Sequence, residues 1–157
     1  MPEIVLECKP DEVLIKSLGY TRKMITHQAN KGEVVKYLIK NPGAIGIVDQ
    51  DPGSTEPSFM KDFQKIDKIQ FDIDCRFSQK WKTKLIVLRP RLEEWVVKYA
   101  KVSKLKLANY SLPNTGKELH KIINSRLKNF ERLLEDMHEA KNEALLHLKE
   151  SLNTKID

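Results

Sequence analysis

Short apolar runs alternate with amphipathic segments over the first fifty residues of the chain. Ile4-Val5-Leu6 and residues 44–48 are continuous apolar runs of the length typical of buried strands. Residues 23–27 predict a further short strand between them. Apolar residues also recur at helical spacing after Pro10 and again after Lys31. The resulting β-α-β-α-β order is typical of a parallel sheet covered by helices.

Later parts of the chain add two more predicted strands and further helices. Residues 68–75 alternate apolar and polar side chains and predict a half-buried strand, whereas residues 85–88 predict a fully buried one. Residues 59–66 and 92–103 have helical spacing, and residues 105–112 are irregular. We therefore expect an α/β fold with a Rossmann-like, mainly parallel sheet covered by helices.

The C-terminal region has the longest periodic pattern. Apolar residues recur at helical spacing from Gly116 to about Leu152, which predicts one long amphipathic helix or a helical hairpin. We expect an α/β domain over residues 1–112 and a helical extension over residues 113–157 that packs on it. The later part of this extension could instead form a homodimer interface or dock a partner protein.

Length and composition indicate the kind of core and the cellular compartment to expect. A chain of 157 residues is long enough to bury a core without disulfides or structural metals. Its two cysteines, Cys8 and Cys75, have neither metal-ligand spacing nor a disulfide pattern, which suits a reducing compartment. No signal peptide opens the chain, and no apolar run approaches the ~20 residues of a membrane span. We expect a cytoplasmic protein without a membrane partner.

The charge is distributed unevenly along the chain. Residues 1–130 carry 24 Lys and Arg against 15 Asp and Glu, a balance of +9. Residues 131–157 carry 4 against 7, a balance of −3, and the two balances give the formal net charge of +6. A basic body favours a polyanionic partner through counterion release. Ordinary solubility charge on a lysine-rich protein is the alternative explanation.

Three carboxylates follow two of the predicted parallel strands. Glu7 closes the first strand, and Asp49 and Asp51 follow the third. The carboxyl ends of parallel strands share one sheet edge, where open α/β folds bind ligands. Asp49 and Asp51 are two residues apart and can share one cation, and Mg²⁺ is commonly held by one or two carboxylates with substrate phosphates. With Glu7 available for proton transfer, the set predicts phosphoryl chemistry. Aspartates also often end strands for structural reasons alone.

Several basic residues could contact phosphate near the same edge. Lys31 lies at a predicted helix start, where backbone N–H groups favour anions. Arg89 and Arg91 flank Pro90 after a predicted strand and could clamp a phosphate. Lys31 could also be an ordinary loop lysine. The expected nucleic-acid contacts are Lys31, Arg22, Lys23, Arg89 and Arg91.

The acidic motifs resemble those of the Toprim (topoisomerase–primase) domain. Residues 7–11, Glu-Cys-Lys-Pro-Asp, are similar to its Glu-Gly-x-x-Asp opening, and residues 49–53 to its Asp-x-Asp motif. Residues 90–95 are similar to a Pro-x-Leu-Glu-x-Trp pattern of the same family. The resemblance covers roughly residues 3–95 and is closest to small stand-alone Toprim-like proteins and overcoming-lysogenization-defect nucleases.

The resemblance implies a metal-dependent nuclease and assigns roles to the acidic residues. Glu7 is implied as general acid/base or shared metal ligand, and Asp49 and Asp51 as ligands of Mg²⁺ or Mn²⁺. Asp11 is implied as a supporting acid, and Glu93 as an additional acidic position. The implied substrate is DNA or RNA.

Two positions depart from the family pattern. Cys8 replaces the usual glycine, and Pro52-Gly53 shortens the spacing after Asp51. Both changes leave the carboxylates in place and are compatible with a degenerate member that does not catalyse. Asp11 can equally be a helix-start carboxylate that interacts with the helix dipole.

Two other functions fit the same sequence. A non-catalytic nucleic-acid-binding or regulatory subunit could dock a partner ATPase through the C-terminal helix. A haloacid-dehalogenase-like phosphatase also uses a strand followed by Asp-x-Asp. That family usually has the motif on its first strand, whereas here two strands precede Asp49.

Overall fold

A computed structural model describes residues 2–154, and strands within this range form a single sheet. The strands are β1 (Ile4–Leu6), β2 (Ile25–His27), β3 (Ile45–Asp49), β4 (Gln64–Lys65), β5 (Ile73–Ser78) and β6 (Thr83–Leu88). Their order in the sheet is β2-β1-β3-β6-β5-β4. β1 pairs in parallel with β2 and β3, and β3 with β6, whereas β5 and β4 extend the sheet in antiparallel fashion. The expected α/β fold with a mainly parallel, Rossmann-like sheet is confirmed.

Helices connect and follow these strands. They are α1 (Lys9–Ser17), α2 (Lys31–Lys40), α3 (Leu92–Val102), α4 (Gly116–Ile122), α5 (Leu127–Glu139) and α6 (Glu143–Asn153). Short 3₁₀ segments lie at Arg22–Met24, Ser58–Asp62, Leu107–Tyr110 and Ile123–Ser125. Within residues 2–154, no helix combines the length and the apolar character that crossing a membrane requires.

The described residues group into two compact units. The first contains the residues up to Cys8 together with Tyr20–Pro90, and therefore holds the whole sheet and α2. The second contains Lys9–Gly19 and the residues from Arg91 onward, and therefore holds α1 and α3 to α6.

In the first unit, α2 packs closely on one face of the sheet. An added Cβ at Gly46 of β3 would lie 2.7 Å from Leu38 Cδ1 and 3.1 Å from Val34 Cγ1, so a glycine is needed for this approach. Asn30 caps the helix, since its side chain accepts a hydrogen bond of 2.9 Å from the Glu33 N–H. The buried core of this face is Val5, Val34, Val35, Leu38, Ala44, Val48, Met60, Phe63, Leu85 and Val87.

Gly46→Ala is expected to lower the free energy of unfolding by roughly 1–3 kcal/mol, because the new methyl group overpacks the contact with Leu38. Urea unfolding monitored by circular dichroism would measure the loss. The double variant Gly46→Ala with Leu38→Ala should be more stable than the summed single losses imply, because the second change makes room for the first. Strictly additive losses would contradict the close approach of α2.

In the second unit, polar groups tie the helices together. The Tyr110 hydroxyl donates a hydrogen bond to Asp136 of α5, and Asn129 Nδ2 donates to the Tyr110 carbonyl oxygen at 3.0 Å. Burial and the hydrogen bond to Asp136 raise the pKa of Tyr110 to about 12. Tyr110 therefore stays protonated and acts as a structural donor at physiological pH.

The periodic C-terminal region is divided into three helices and is not one continuous helix. The chain turns at Lys141, which has a left-handed φ of 55°, just before α6. Asn142 then caps α6 by accepting hydrogen bonds from Ala144 N (3.1 Å) and Leu145 N (3.3 Å). Its amide Nδ2 also donates to the Tyr99 carbonyl oxygen at 2.8 Å. The turn contains neither glycine nor proline, so the helical spacing of apolar residues gives no sign of it in the sequence.

The strand expected over residues 68–75 begins later. Phe71 and Asp72 have left-handed φ values of 53° and 54° and form a turn, so β5 starts at Ile73 and continues to Ser78. The period-two pattern thus extended across a turn. The irregular region expected over residues 105–112 contains a 3₁₀ segment. The short helix expected over residues 59–66 was wrong in its second half, because a 3₁₀ segment ends at Asp62 and Gln64–Lys65 pair with β5 as β4.

Candidate active site at the carboxyl edge of the sheet

Two of the three predicted carboxylates lie at the ends of adjacent parallel strands. Glu7 directly follows Leu6, the last residue of β1, and Asp49 is the last residue of β3. Because β1 and β3 are parallel neighbours, both residues lie at the carboxyl edge of the sheet. Both are half-buried.

Asp51 lies in a loop that is hydrogen-bonded to the end of β6. Its N–H donates to the Pro90 carbonyl oxygen at 2.9 Å, and the Gln50 N–H donates to the Leu88 oxygen at 2.8 Å. Asp51 has a left-handed φ of 53°, a conformation that aspartate adopts more readily than most residues. The Ser54 hydroxyl donates to the Asp51 carbonyl oxygen at 2.7 Å. The loop therefore has a defined course at this edge.

Lys31 connects the start of α2 to the same loop. Its Nζ donates a hydrogen bond to the Gln50 carbonyl oxygen at 2.8 Å. Lys31 is the first residue of α2, and the close packing of that helix on β3 sets its position. A cationic side chain is thereby held between a helix start and the Asp51 loop.

Glu7 is electrostatically linked to both Lys31 and Asp51. Burial raises the pKa of the Glu7 carboxyl, and the nearby Asp51 carboxylate raises it further. The Lys31 ammonium opposes both effects and lowers the Glu7 pKa, but it does not cancel them. Glu7 is therefore protonated more easily than an ordinary glutamate, which suits a group that exchanges protons.

Exchange of these neighbours should move the Glu7 pKa in opposite directions. Lys31→Met is expected to raise it, since a lowering charge is lost, and Asp51→Asn is expected to lower it, since a raising charge is lost. Carboxyl ¹³C chemical shifts followed over a pH titration would measure both. Lys36→Met is the matched control, because Lys36 pairs with Glu33 on the exposed side of α2. Equal shifts in all three variants would contradict the specific coupling.

The predicted set of acids does not form a ready three-ligand metal site. Among residues 2–154, no three His, Cys, Asp or Glu side chains lie close enough together to hold a metal ion. Side chains alternate along β3, so Asp49 faces the side of Ile47, whereas Val48 faces the core under α2. A preassembled set of three ligands is not required, since Mg²⁺ is often bound by one or two carboxylates with water and phosphate.

Asp11, Glu93 and Arg91 belong to the second unit. Asp11 is buried in the first turn of α1, where a carboxylate interacts favourably with the helix dipole. Glu93 is buried in the first turn of α3, and its Oε1 lies 3.1 Å from Nδ1 of the exposed His120. Arg91 precedes α3 and lies 3.4 Å from Glu94. Each residue thus has a local role within its own unit.

The predicted basic contacts separate into two groups. Arg22 and Lys23 are exposed and precede β2, so they lie at the amino edge of the sheet. The expectation that they gather with Glu7 was wrong. Because β1 and β2 are parallel, residues that precede β2 lie at the edge opposite to Glu7, which follows β1. Arg89 directly follows β6 and lies at the carboxyl edge, as Lys31 does.

Two residues that the sequence did not single out join Arg89. Asp74 of β5 is fully buried, and its Oδ2 accepts hydrogen bonds from Arg76 Nε (3.1 Å) and Nη2 (3.0 Å). Arg89 Nη2 donates to the same oxygen at 3.3 Å. The alternation of apolar and polar residues predicts that Asp74 lies on the solvent-facing side of a half-buried strand. No local pattern shows that Arg76 and Arg89 cover it there.

Comparisons with protein-family models, with curated proteins and with solved structures found no match for this chain. The geometry of the site therefore carries the functional argument by itself.

Proposed function

We propose that this chain is a Mg²⁺- or Mn²⁺-dependent phosphodiester hydrolase that acts on nucleic acid, with a Toprim-like arrangement of acids. The observation that carries the proposal is the placement of Glu7 and Asp49 at the carboxyl ends of adjacent parallel strands, with Lys31 fixed on the neighbouring Gln50 oxygen. The raised pKa of Glu7, to which the nearby Asp51 contributes, supports it. Perturbed carboxylates in such a place are typical of functional sites.

Each side chain has a task in this reaction. Glu7 is the general acid/base, since a carboxyl that gains and loses a proton easily can transfer one to or from a reacting oxygen. Asp51 and Asp49 supply hard oxygen ligands of the kind that Mg²⁺ prefers. A bound divalent cation would neutralise charge that develops on the phosphoryl oxygens. Lys31 orients the phosphate, because its ammonium is fixed on the Gln50 oxygen.

The charge of the chain supports a nucleic-acid substrate. Residues 1–130 carry the balance of +9, and Lys31 and Arg89 lie at the edge that holds the carboxylates. Two fixed cations beside two acids suit a phosphodiester backbone, in which one phosphate reacts and its neighbours are held.

Hydrolysis assays would test the proposal directly. Plasmid, single-stranded DNA and RNA should each be incubated with Mg²⁺, Mn²⁺ or EDTA, with Asp49→Ala beside the wild type. We expect cleavage of at least one substrate by the wild type with metal and none with EDTA. Metal-independent cleavage, or equal cleavage by Asp49→Ala, would overturn the proposed mechanism.

Nucleic-acid affinity should fall steeply as salt concentration rises. Each phosphate contact contributes about 0.7–0.9 to the slope of log affinity against log salt, so Lys31→Gln should reduce that slope by about this amount. Fluorescence anisotropy of a labelled oligonucleotide in EDTA would measure it without cleavage. Lys36→Gln serves as a control, since that lysine pairs with Glu33 on the surface of α2. Affinity that ignores ionic strength would refute a phosphate-binding role.

A non-catalytic nucleic-acid-binding subunit is the second candidate. One observation favours it: residues 2–154 contain no assembled group of three metal-ligating side chains. This function predicts salt-sensitive binding with no hydrolysis in either metal. The same two assays therefore separate it from the nuclease.

A further inference from the structure

A buried carboxylate holds two arginines on the face of β5 and β6. Asp74 has no exposed surface, and three N–H groups from Arg76 and Arg89 converge on its Oδ2 at 3.0–3.3 Å. β5 and β6 are antiparallel neighbours, so Asp74 lies opposite Val87 and Arg76 opposite Leu85. The charges of this cluster, Arg76–Asp74–Arg89, leave a surplus of one positive charge.

Asp74 does not use all the donors of the two guanidinium groups. Arg76 uses its Nε and Nη2 on Asp74, whereas Arg89 uses only its Nη2. The side chains of Arg76 and Arg89 are 14% and 30% exposed. The Nε of Arg89 is buried and donates to none of the residues that the structure describes. One arginine would neutralise Asp74, so the second is an excess cation fixed in place.

The cluster adjoins the loop that carries Asp51. Arg89 lies between Leu88 and Pro90, whose carbonyl oxygens accept hydrogen bonds from Gln50 N (2.8 Å) and Asp51 N (2.9 Å). The Arg89 N–H donates to the Asp72 oxygen at 3.0 Å, which joins it to the turn before β5. The backbone around Arg89 is therefore bonded both to the Asp51 loop and to β5.

We propose that Arg76 and Arg89 form a phosphate-binding subsite, in which Asp74 is the positioning residue. The guanidinium fork matches the geometry of a phosphate, and an arginine already held by a carboxylate loses less freedom on binding. The occupant is a backbone phosphate of nucleic acid next to the phosphate that reacts at Glu7 and Asp51. This inference rests on the proposed function and adds Arg76 and Asp74 to its binding surface.

Binding of a fluorescein-labelled single-stranded DNA oligonucleotide, and of the duplex of the same sequence, tests the subsite in EDTA. Arg76→Gln and Arg89→Gln should each weaken binding roughly 10-fold or more, and each should lower the salt slope by about 0.7–0.9. Arg76→Lys and Arg89→Lys should keep the slope but lose part of the affinity, because the planar fork is lost. Arg22→Gln is the matched control, since that exposed arginine lies at the opposite edge.

Asp74→Asn separates positioning from bulk charge. This variant raises the net charge by one, so charge alone predicts tighter binding of DNA. The positioning role predicts weaker binding, because an amide does not hold two guanidinium groups as a carboxylate does. Circular dichroism melts would check that each variant is folded. If a glutamine or asparagine variant is unfolded, the affinities of Arg76→Lys and Arg89→Lys test the subsite instead.

Failure of the subsite and failure of the proposed function give different results. Wild-type affinity and slope in all four arginine variants would overturn the subsite while leaving metal-dependent hydrolysis intact. Tighter binding by folded Asp74→Asn would likewise overturn it. If the wild type binds neither oligonucleotide at low salt, the subsite and the nucleic-acid function fall together.

Discussion

Asp49→Asn and Asp51→Asn are each expected to abolish metal-dependent hydrolysis and to weaken Mg²⁺ binding. Each change preserves the shape of the side chain but removes a negative charge that attracts a hard cation. Glu7→Gln is expected to reduce turnover by about 10²–10⁴-fold, the usual contribution of a proton-transfer group, while retaining most of the metal affinity. Single-turnover cleavage and calorimetric Mg²⁺ titration would measure the two quantities separately.

Asp67→Asn is the matched control for these variants. Asp67 is exposed in the first unit and accepts a hydrogen bond from its neighbour Lys68 N at 2.8 Å. It should cleave and bind Mg²⁺ as the wild type does. Undiminished cleavage by Asp51→Asn, or cleavage that persists in chelator, would mean that the carboxylates are structural and that the enzyme function is wrong.

The second large effect concerns stability. Asp74→Ala is expected to lower the free energy of unfolding by about 3 kcal/mol, at the low end of values for broken buried ion pairs, because both arginines reach some water. The loss arises since two guanidinium groups would remain side by side without a counter-charge. Urea unfolding is the suitable measurement, because guanidinium chloride would screen the charges.

Asp67→Ala provides the comparison for this stability change, since it removes an exposed aspartate from the same unit. Its effect should stay within about 0.5 kcal/mol, as for most surface substitutions. An equally small loss in Asp74→Ala would show that the arginines are held by other contacts, and that Asp74 does not position them.

Sequence patterns located the sheet edge because strand order and helical spacing are local properties. The β-α-β-α-β order predicts that Glu7 and Asp49 lie at the ends of parallel strands. In the structure, Glu7 follows β1 and Asp49 ends the parallel strand β3. The left-handed turn at Asp51 and the raised Glu7 pKa depend on hydrogen bonds and charges from distant segments. No periodic pattern contains that information.

Contacts between neighbouring strands could not be predicted from the sequence patterns. Asp74 and Arg89 are fifteen residues apart and meet only because β5 folds back on β6. A period-two pattern states which residues share a face, but not whether that face meets water or a neighbouring side chain. The turn at Lys141 could not be predicted for the same reason, since the adjacent Asn142 is held by a hydrogen bond to the distant Tyr99.

The environment of Glu7 also affects how the folded state responds to pH. Its pKa is raised on folding from the ordinary value of 4.5, so the folded protein keeps a proton that the unfolded chain releases. The favourable contribution of Glu7 is therefore complete below that ordinary pKa and is lost as pH rises through the folded-state pKa. Above the folded-state pKa, folding proceeds against the desolvation of an ionised carboxylate. The acid on which the proposed chemistry depends is thus one whose ionised form makes the native state less stable.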